Sequence, residues 1–287
     1  MTELAAEGPN AAQITYWNTS AGPVWVAMHD ALDHEIRPLG LAAMDALAPK
    51  PGERVIDLGC GCGDTSLELA RRVGPAGAVL GADISAPMLG VARRRAAEAG
   101  LSQASFVQAD AQSHAFEAAD AAFSRFGVMF FADPAAAFAN VRKGLKGGGR
   151  LAFVCWRALA ENPWMTIPFA AAQPLIPTAP TPPDPNAPGP FAFADRQKVE
   201  GVLAKAGFSD IAIRPHDQKV GWGDLATSAR VALQVGPLGA VVRENPGLAG
   251  PIEAAVRKGF APYETEEGVL LDSATWIVTA RNSPSHG

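Results

Sequence analysis

The stretch Val55-Ile56-Asp57-Leu58-Gly59-Cys60-Gly61-Cys62-Gly63 decides the fold. A short apolar run at residues 54–58, of a length that suits a buried strand, passes directly into three glycines spaced by two. Glycine takes positive φ without strain and lets a ligand approach the backbone closely. The dinucleotide fingerprint G-x-G-x-x-G would need a glycine at position 64, where Asp64 stands. Asp57 lies inside the strand, two residues before the first glycine. A carboxylate there suits a cationic group, such as an amino-acid ammonium, better than a pyrophosphate.

Outward from this stretch, short apolar runs alternate with helical ones. Residues 78–83, 105–109, 119–124 and 150–155 read as strands, and residues 64–72, 86–99 and 134–144 as helices. Such alternation predicts βαβ units and a doubly wound, mostly parallel sheet. Residues 197–206 read as a helix stopped by Gly207, residues 211–214 as a strand, and residues 274–280 as a final strand. Residues 13–49 read as helical, with Pro38 as a point of bending or breakage. Ten prolines fall between positions 163 and 190, so that segment reads as an excursion from the sheet.

The strand ends carry the chemistry. Asp83 closes the second strand, 24 residues after Gly59. At that point of a doubly wound fold an acidic side chain can accept both ribose hydroxyl protons. Asp110 and Ala111 follow the third strand, where a side chain can reach an adenine amino group. Together these positions offer a site for an adenosine bearing an amino acid.

These residues resemble the class I S-adenosylmethionine-dependent methyltransferases, in the small-molecule branch that includes ubiquinone/menaquinone C-methyltransferases. The resemblance covers roughly residues 52–156 and rests on Val55 to Gly63, on Asp83 with its follow-on Ile84-Ser-Ala-Pro-Met88-Leu89, and on Asp110. A weaker likeness falls at Leu203-Ala-Lys-Ala-Gly-Phe208. The resemblance implies a Rossmann-like, seven-stranded, mostly parallel sheet whose last strand is antiparallel, and S-adenosylmethionine as cofactor. It implies Asp57, Gly59, Cys60, Gly61, Gly63, Asp83, Ile84, Met88, Asp110 and Ala111 as cofactor-binding residues. The expected organisation is an N-terminal helical lid at 1–50, the cofactor-binding core at 51–156, a Pro-rich excursion at 157–195, and a C-terminal part of the sheet at 196–287 with a helical insertion at 218–270.

The acceptor side is less explicit. An N-terminal helix in such enzymes often lies over the cofactor, which makes His29 a candidate general base; the other reading is a surface or capping histidine. His29 and His34 are spaced i, i+5, about 140° apart around a helix, so no metal site is expected. Trp17, with Tyr16, Asn18 and Trp25, either covers the cofactor or substrate or packs the helix down. Arg125, at the mouth of the fourth strand, and Arg157, after the fifth, are candidate clamps for an anionic group, with Arg125 also placed against the cofactor; the alternative is pairing with local acids. Arg93, Arg94 and Arg95 read as a solvated face. Trp164, Phe169 and Trp222 are expected to wall an apolar pocket.

Composition narrows the classes. Hydrophobic residues make up 48% and charged residues 18%, which excludes a disordered chain. The net charge of −5, from 24 basic and 29 acidic residues, gives no positive field for nucleic acid or an anionic membrane. Three cysteines are too few for a disulfide framework; Cys60, Cys62 and Cys155 read as small fillers rather than nucleophiles. With neither a signal peptide nor a run of about 18 apolar residues, a cytoplasmic enzyme is expected. The reading is methyl transfer to a small, apolar or aromatic acceptor. An RNA-directed methyltransferase, a catalytically idle nucleotide-binding protein and an NAD-type oxidoreductase are the alternatives.

Overall fold

A computed structural model describes residues 4–177, 184 and 187–283. Seven strands form one sheet in the order β3-β2-β1-β4-β5-β9-β6. These are β1 (Arg54–Leu58), β2 (Ala78–Asp83), β3 (Ala104–Gln108), β4 (Ala119–Arg125), β5 (Leu145–Trp156), β6 (Ser209–Val220) and β9 (Leu271–Arg281). The pairings β1·β2, β1·β4, β2·β3 and β4·β5 are parallel, while β9 runs antiparallel between β5 and β6. This is the expected doubly wound sheet with its antiparallel last strand. The strand order reverses between β1 and β4, so the crevice for a ligand lies at their carboxyl ends.

The central strands read as unbroken apolar runs because helices cover both faces. Phe123, Phe138 and Phe153 are fully buried. The helices α3 (Asp64–Val73), α4 (Ala86–Glu98), α5 (Pro134–Lys143) and α7 (Arg196–Lys205) connect the strands. Asp133 caps α5 through Ala136 N–H at 3.0 Å, and Asp195 caps α7 through Gln197 N–H at 2.8 Å.

Several boundaries differ from the sequence reading. The N-terminal helical stretch is two helices, α1 (Ala11–Thr19) and α2 (Ala21–Leu47), and α2 runs through Pro38 without ending. The stripe Leu32, Ile36, Leu39 and Ala43 is buried against the sheet, and that packing outweighs the one hydrogen bond proline removes. Strand β6 continues to Val220 and contains Pro215, which an edge strand tolerates. The helical insertion therefore begins later than expected, with α8 (Leu225–Ala232), α9 (Gly236–Glu244) and α10 (Ala249–Phe260), followed by the hairpin of β7 (Glu264–Thr265) and β8 (Gly268–Val269). The Pro-rich excursion is partly regular: α6 (Pro163–Ala172) has Pro163 at its first position and Pro168 inside. The prolines at 180, 182, 183 and 185 lie outside the described residues. No helix is long and apolar enough among the described residues to cross a membrane.

Candidate active site

The glycine loop leaves β1 with Gly59, Gly61 and Gly63 all at positive φ, at 67°, 54° and 87°. At Gly59 a Cβ would stand 2.8 Å from Gly127 Cα, and at Gly63 it would stand 2.8 Å from Ala92 Cβ. Both positions thus require glycine for conformation and for close approach. Gly61 presents its N–H to Asp83 Oδ2 at 2.8 Å, and Asp83 Oδ1 accepts Ser85 N–H at 2.8 Å. Burial pushes the Asp83 carboxyl up, against the pull of those two amides. A carboxylate has about four acceptor sites, so Asp83 retains capacity for two hydroxyl donors.

Asp57 is fully buried. Its Oδ2 accepts Thr65 Oγ1–H at 2.7 Å and Ser66 Oγ–H at 2.6 Å, whereas Oδ1 has no partner. Burial raises its pKa to about 6, and the two hydroxyls oppose the rise. Asp110 Oδ1 accepts Asn10 Nδ2–H at 3.1 Å and Gln112 N–H at 2.9 Å. Asn10, itself buried, also accepts Ala132 N–H at 3.0 Å, so the start of the chain bridges the ends of β3 and β4. Ala111 is buried beside it, and its carbonyl accepts from Asn140 Nδ2 at 2.9 Å. The positive-φ loop, the unpartnered Asp57 oxygen and the spare capacity of Asp83 fit an adenosine that carries an ammonium.

The N-terminal helices close over this edge. Asn18 Nδ2–H donates to the Ile84 carbonyl at 2.9 Å, and Asn18 Oδ1 accepts Ala86 N–H at 2.9 Å. Ser85 Oγ–H donates to the Trp17 carbonyl at 2.9 Å. Trp17 stands edge-on to Trp25 and Phe130, at 5.9 and 5.2 Å between ring centroids, in a cluster with Cys62, Met88 and Val91. Cys60, Cys62 and Cys155 are buried; burial pushes the Cys62 thiol up to about 12 and the other two well above their ordinary value. They act as fillers, not thiolates.

Along α2 the positions Gly22, Val26, His29, Asp33, Arg37 and Gly40 share a stripe. Its two ends meet the crevice: a Cβ at Gly22 would lie 2.7 Å from Ser85 Oγ, and one at Gly40 2.7 Å from Arg125 Cδ. His29 sits between them, half-buried, with Nδ1 at 2.9 Å from the Val26 carbonyl. A carbonyl only accepts, so Nδ1 carries the hydrogen when it makes this bond, while Nε2 stands 3.5 Å from the Asp30 carboxylate. His34 is exposed.

Arg125 and Arg157 are not free clamps. Arg125 Nη1–H donates to Asp64 Oδ2 and Nη2–H to Asp33 Oδ1, both at 2.8 Å. Arg95 is likewise not part of a solvated face: it donates to Asp33 Oδ2 at 2.8 Å and to the Cys62 carbonyl at 3.1 Å. Arg37 adds a bond to Asp64. These side chains tie α2, α3, α4 and β4 together behind the glycine loop. The pairing was hidden from sequence because its partners lie 27 to 92 residues apart. Arg157 pairs with Asp217 at 2.8 Å and with Glu161, and lies over the Trp276 ring.

Past the end of β4 an aromatic wall begins. Phe126 holds a positive φ of 62° and stacks on Trp156 at 4.2 Å. Trp156 meets Trp164 at 4.7 Å, Trp164 meets Trp222 at 6.2 Å, and Trp222 meets Phe260 at 6.2 Å. Asn162 fixes the turn that presents Trp164, accepting Trp164 Nε1–H and Ala274 N–H, each at 3.0 Å.

Residues 55–149 match the family described as a methyltransferase domain. Aklanonic acid methyltransferase DauC of Streptomyces sp. (strain C5) is 37% identical over 146 residues, which is 50% of this chain and 64% of that protein. Demethylmenaquinone methyltransferase of Thermus thermophilus is 40% identical over 111 residues, 38% of this chain and 50% of its own length. The chain thus spans between half and two thirds of these relatives. Among solved structures, the cyclase SpnF superposes with a TM-score of 0.58 at 19% identity, over 98% of this chain and 99% of its own, a likeness of fold.

Proposed function

From the methyltransferase domain at residues 55–149, we propose that the chain transfers a methyl group from S-adenosylmethionine to a small apolar or aromatic acceptor. One observation carries the reading. Three positive-φ glycines after β1 face Asp83 at the end of β2 and Asp110 just after β3, and the N-terminal helices roof the same edge. Asp83 is the acceptor for the ribose hydroxyls, and Asp110 with Ala111 frames the adenine side. The methionine end is assigned to the side of Asp57, whose buried Oδ1 has no partner; the Gly59, Cys60, Gly61 and Gly63 amides are engaged within the protein and fix the loop.

When bound, the cofactor supplies an electrophilic sulfonium methyl. The chain's own work is to orient the acceptor in line and to exclude water. Trp17, Trp25 and Phe130 form the roof, and Phe126, Trp156, Trp164 and Trp222 form the wall. Where the acceptor must lose a proton, His29 Nε2 takes it while Nδ1–H stays held by the Val26 carbonyl. An anionic end on the acceptor, expected from Arg125 and Arg157, loses its support because both guanidiniums are paired.

An NAD-type oxidoreductase is disfavoured by Asp64, which stands at the third fingerprint position and turns into the arginine network. The test is a thermal shift. S-adenosylhomocysteine should raise Tm by mass action and NAD should not; stabilisation by NAD alone overturns the reading. Titration with RNA at low salt addresses an RNA acceptor, and the net charge of −5 predicts no binding.

A further inference from the structure

Among the described residues, Glu35 is the one buried carboxylate near the aromatic wall that the proposed chemistry leaves without a task. It lies on α2 opposite the Asp33 stripe, is 4% exposed, and accepts Trp222 Nε1–H on Oε2 at 2.6 Å. Its Oε1 is buried and has no hydrogen-bond partner. Burial raises its pKa to about 8, so the carboxyl is chiefly protonated at neutral pH and carries a donor as well as acceptors. A buried polar oxygen left unsatisfied costs stability, and where one persists in a well-packed region it asks for a partner.

The surroundings say what that partner is. The wall starts at the cofactor loop, since Gly127 packs directly on Gly59 and its neighbour Phe126 stacks on Trp156. It continues through Trp164 to Trp222 and ends at Glu35. Phe126 keeps its strained positive φ at the start of this path, a mark of positions held for function. Met28 and Ala31, two turns and one turn before Glu35 on the same face, are half-buried and pack against the same core. Ligand sites combine apolar walls with a few polar groups that fix orientation. We propose that Glu35 is the specificity-determining residue of the acceptor site, binding a hydroxyl or carbonyl oxygen of an aromatic acceptor through Oε1 while the tryptophans contact its rings. The proposal rests on the methyl-transfer reading above.

The test uses the full chain saturated with S-adenosylhomocysteine and 1-naphthol as probe, measured by calorimetry. Glu35→Leu removes the polar contact and should weaken 1-naphthol by roughly tenfold, while Glu35→Gln, which keeps donor and acceptor, stays within about threefold. S-adenosylhomocysteine affinity should be the same in all three proteins. Equal 1-naphthol affinity in Glu35→Leu and wild type, with cofactor binding intact, overturns the proposal, as does absence of 1-naphthol binding to the wild type. Failure of S-adenosylhomocysteine to bind the wild type is a different result and overturns the methyl-transfer reading instead. Should Glu35→Leu not fold, infrared difference spectra at a pH of about 6 decide. The protonated carboxyl band, assigned by its loss in Glu35→Gln, should shift when 1-naphthol binds, and an unmoved band overturns the proposal.

Discussion

Replacing Glu35 by glutamine isolates one protonation equilibrium inside the fold. The side chains are nearly isosteric, and the amide oxygen of glutamine can still accept the Trp222 indole N–H that Glu35 takes at 2.6 Å. Burial raises the Glu35 pKa from 4.5 to about 8. Between those values the unfolded chain has released the proton and the native state has kept it. Unfolding therefore releases a proton, and stability falls as pH rises through that window. At about 1.4 kcal/mol per pH unit, the loss from pH 4.5 to pH 8 is on the order of 5 kcal/mol. Glutamine has no such term. The assay is urea unfolding of both proteins at several pH values, followed by tryptophan fluorescence. Asp57, whose pKa burial raises to about 6, contributes its own loss to both proteins and cancels in the difference. The expected result is near-equal stability at the acid end and a growing advantage for Glu35→Gln that levels off above pH 8. A difference independent of pH would refute the reasoning, because it would place Glu35 in contact with water or with a cation.

Asp83→Ala should weaken S-adenosylhomocysteine by on the order of 1.5–3 kcal/mol in calorimetry, since it removes a charged acceptor from the ribose and from the Gly61 amide. Arg125→Ala leaves Asp33 and Asp64 short of one guanidinium each and should cost about 3 kcal/mol of stability, read as a drop in Tm of several degrees. An Arg125 variant with unchanged Tm but a raised acceptor KM would restore it as a substrate clamp. His29→Gln should lower kcat without changing S-adenosylhomocysteine affinity and should remove the acid-side limb of the kcat–pH profile, where a protonated base cannot accept; an unaltered profile removes His29 from the chemistry.

The sheet and the glycine loop were legible because their signals are local. Residues 55–63 join strand to loop within nine positions, and Asp83 and Asp110 sit at or beside strand ends that alternation alone locates. Elements whose stability comes from distant packing were read less well. Proline statistics pointed to a bend or break at Pro38 and to an excursion from the sheet over residues 163–190, yet Pro38 and the first part of that excursion are helical because an apolar face is buried beneath them. The arginines were misread for the same reason. Arg95 and Arg125 look like solvent or ligand cations until α2 brings Asp33 between them. Asn10 and Asn18, which hold the N-terminal segment onto the ends of β2, β3 and β4, leave no pattern in the sequence, since each is a single polar residue whose partners lie 66 to 122 positions away.

Helix α2 connects these observations. Its 27 residues span about 40 Å at 1.5 Å per residue, enough to run the height of the sheet from the carboxyl edge to the start of β5. Three faces of the helix do separate work. Leu32, Ile36, Leu39 and Ala43 bury themselves against the sheet and fix its position. Asp33 and Arg37, one turn apart, bind Arg125, Arg95 and Asp64 and so hold the chain on either side of the glycine loop. Glu35, pointing the other way, binds Trp222 beyond β6 and joins the helical insertion to the same rod. A rotation of α2 by one residue would turn Asp33 away from Arg125 and Glu35 away from Trp222 together. The glycine loop and the aromatic wall are therefore registered to each other by one helix, which is the arrangement the proposed transfer requires: a donor and an acceptor site must be fixed relative to one another, not only built.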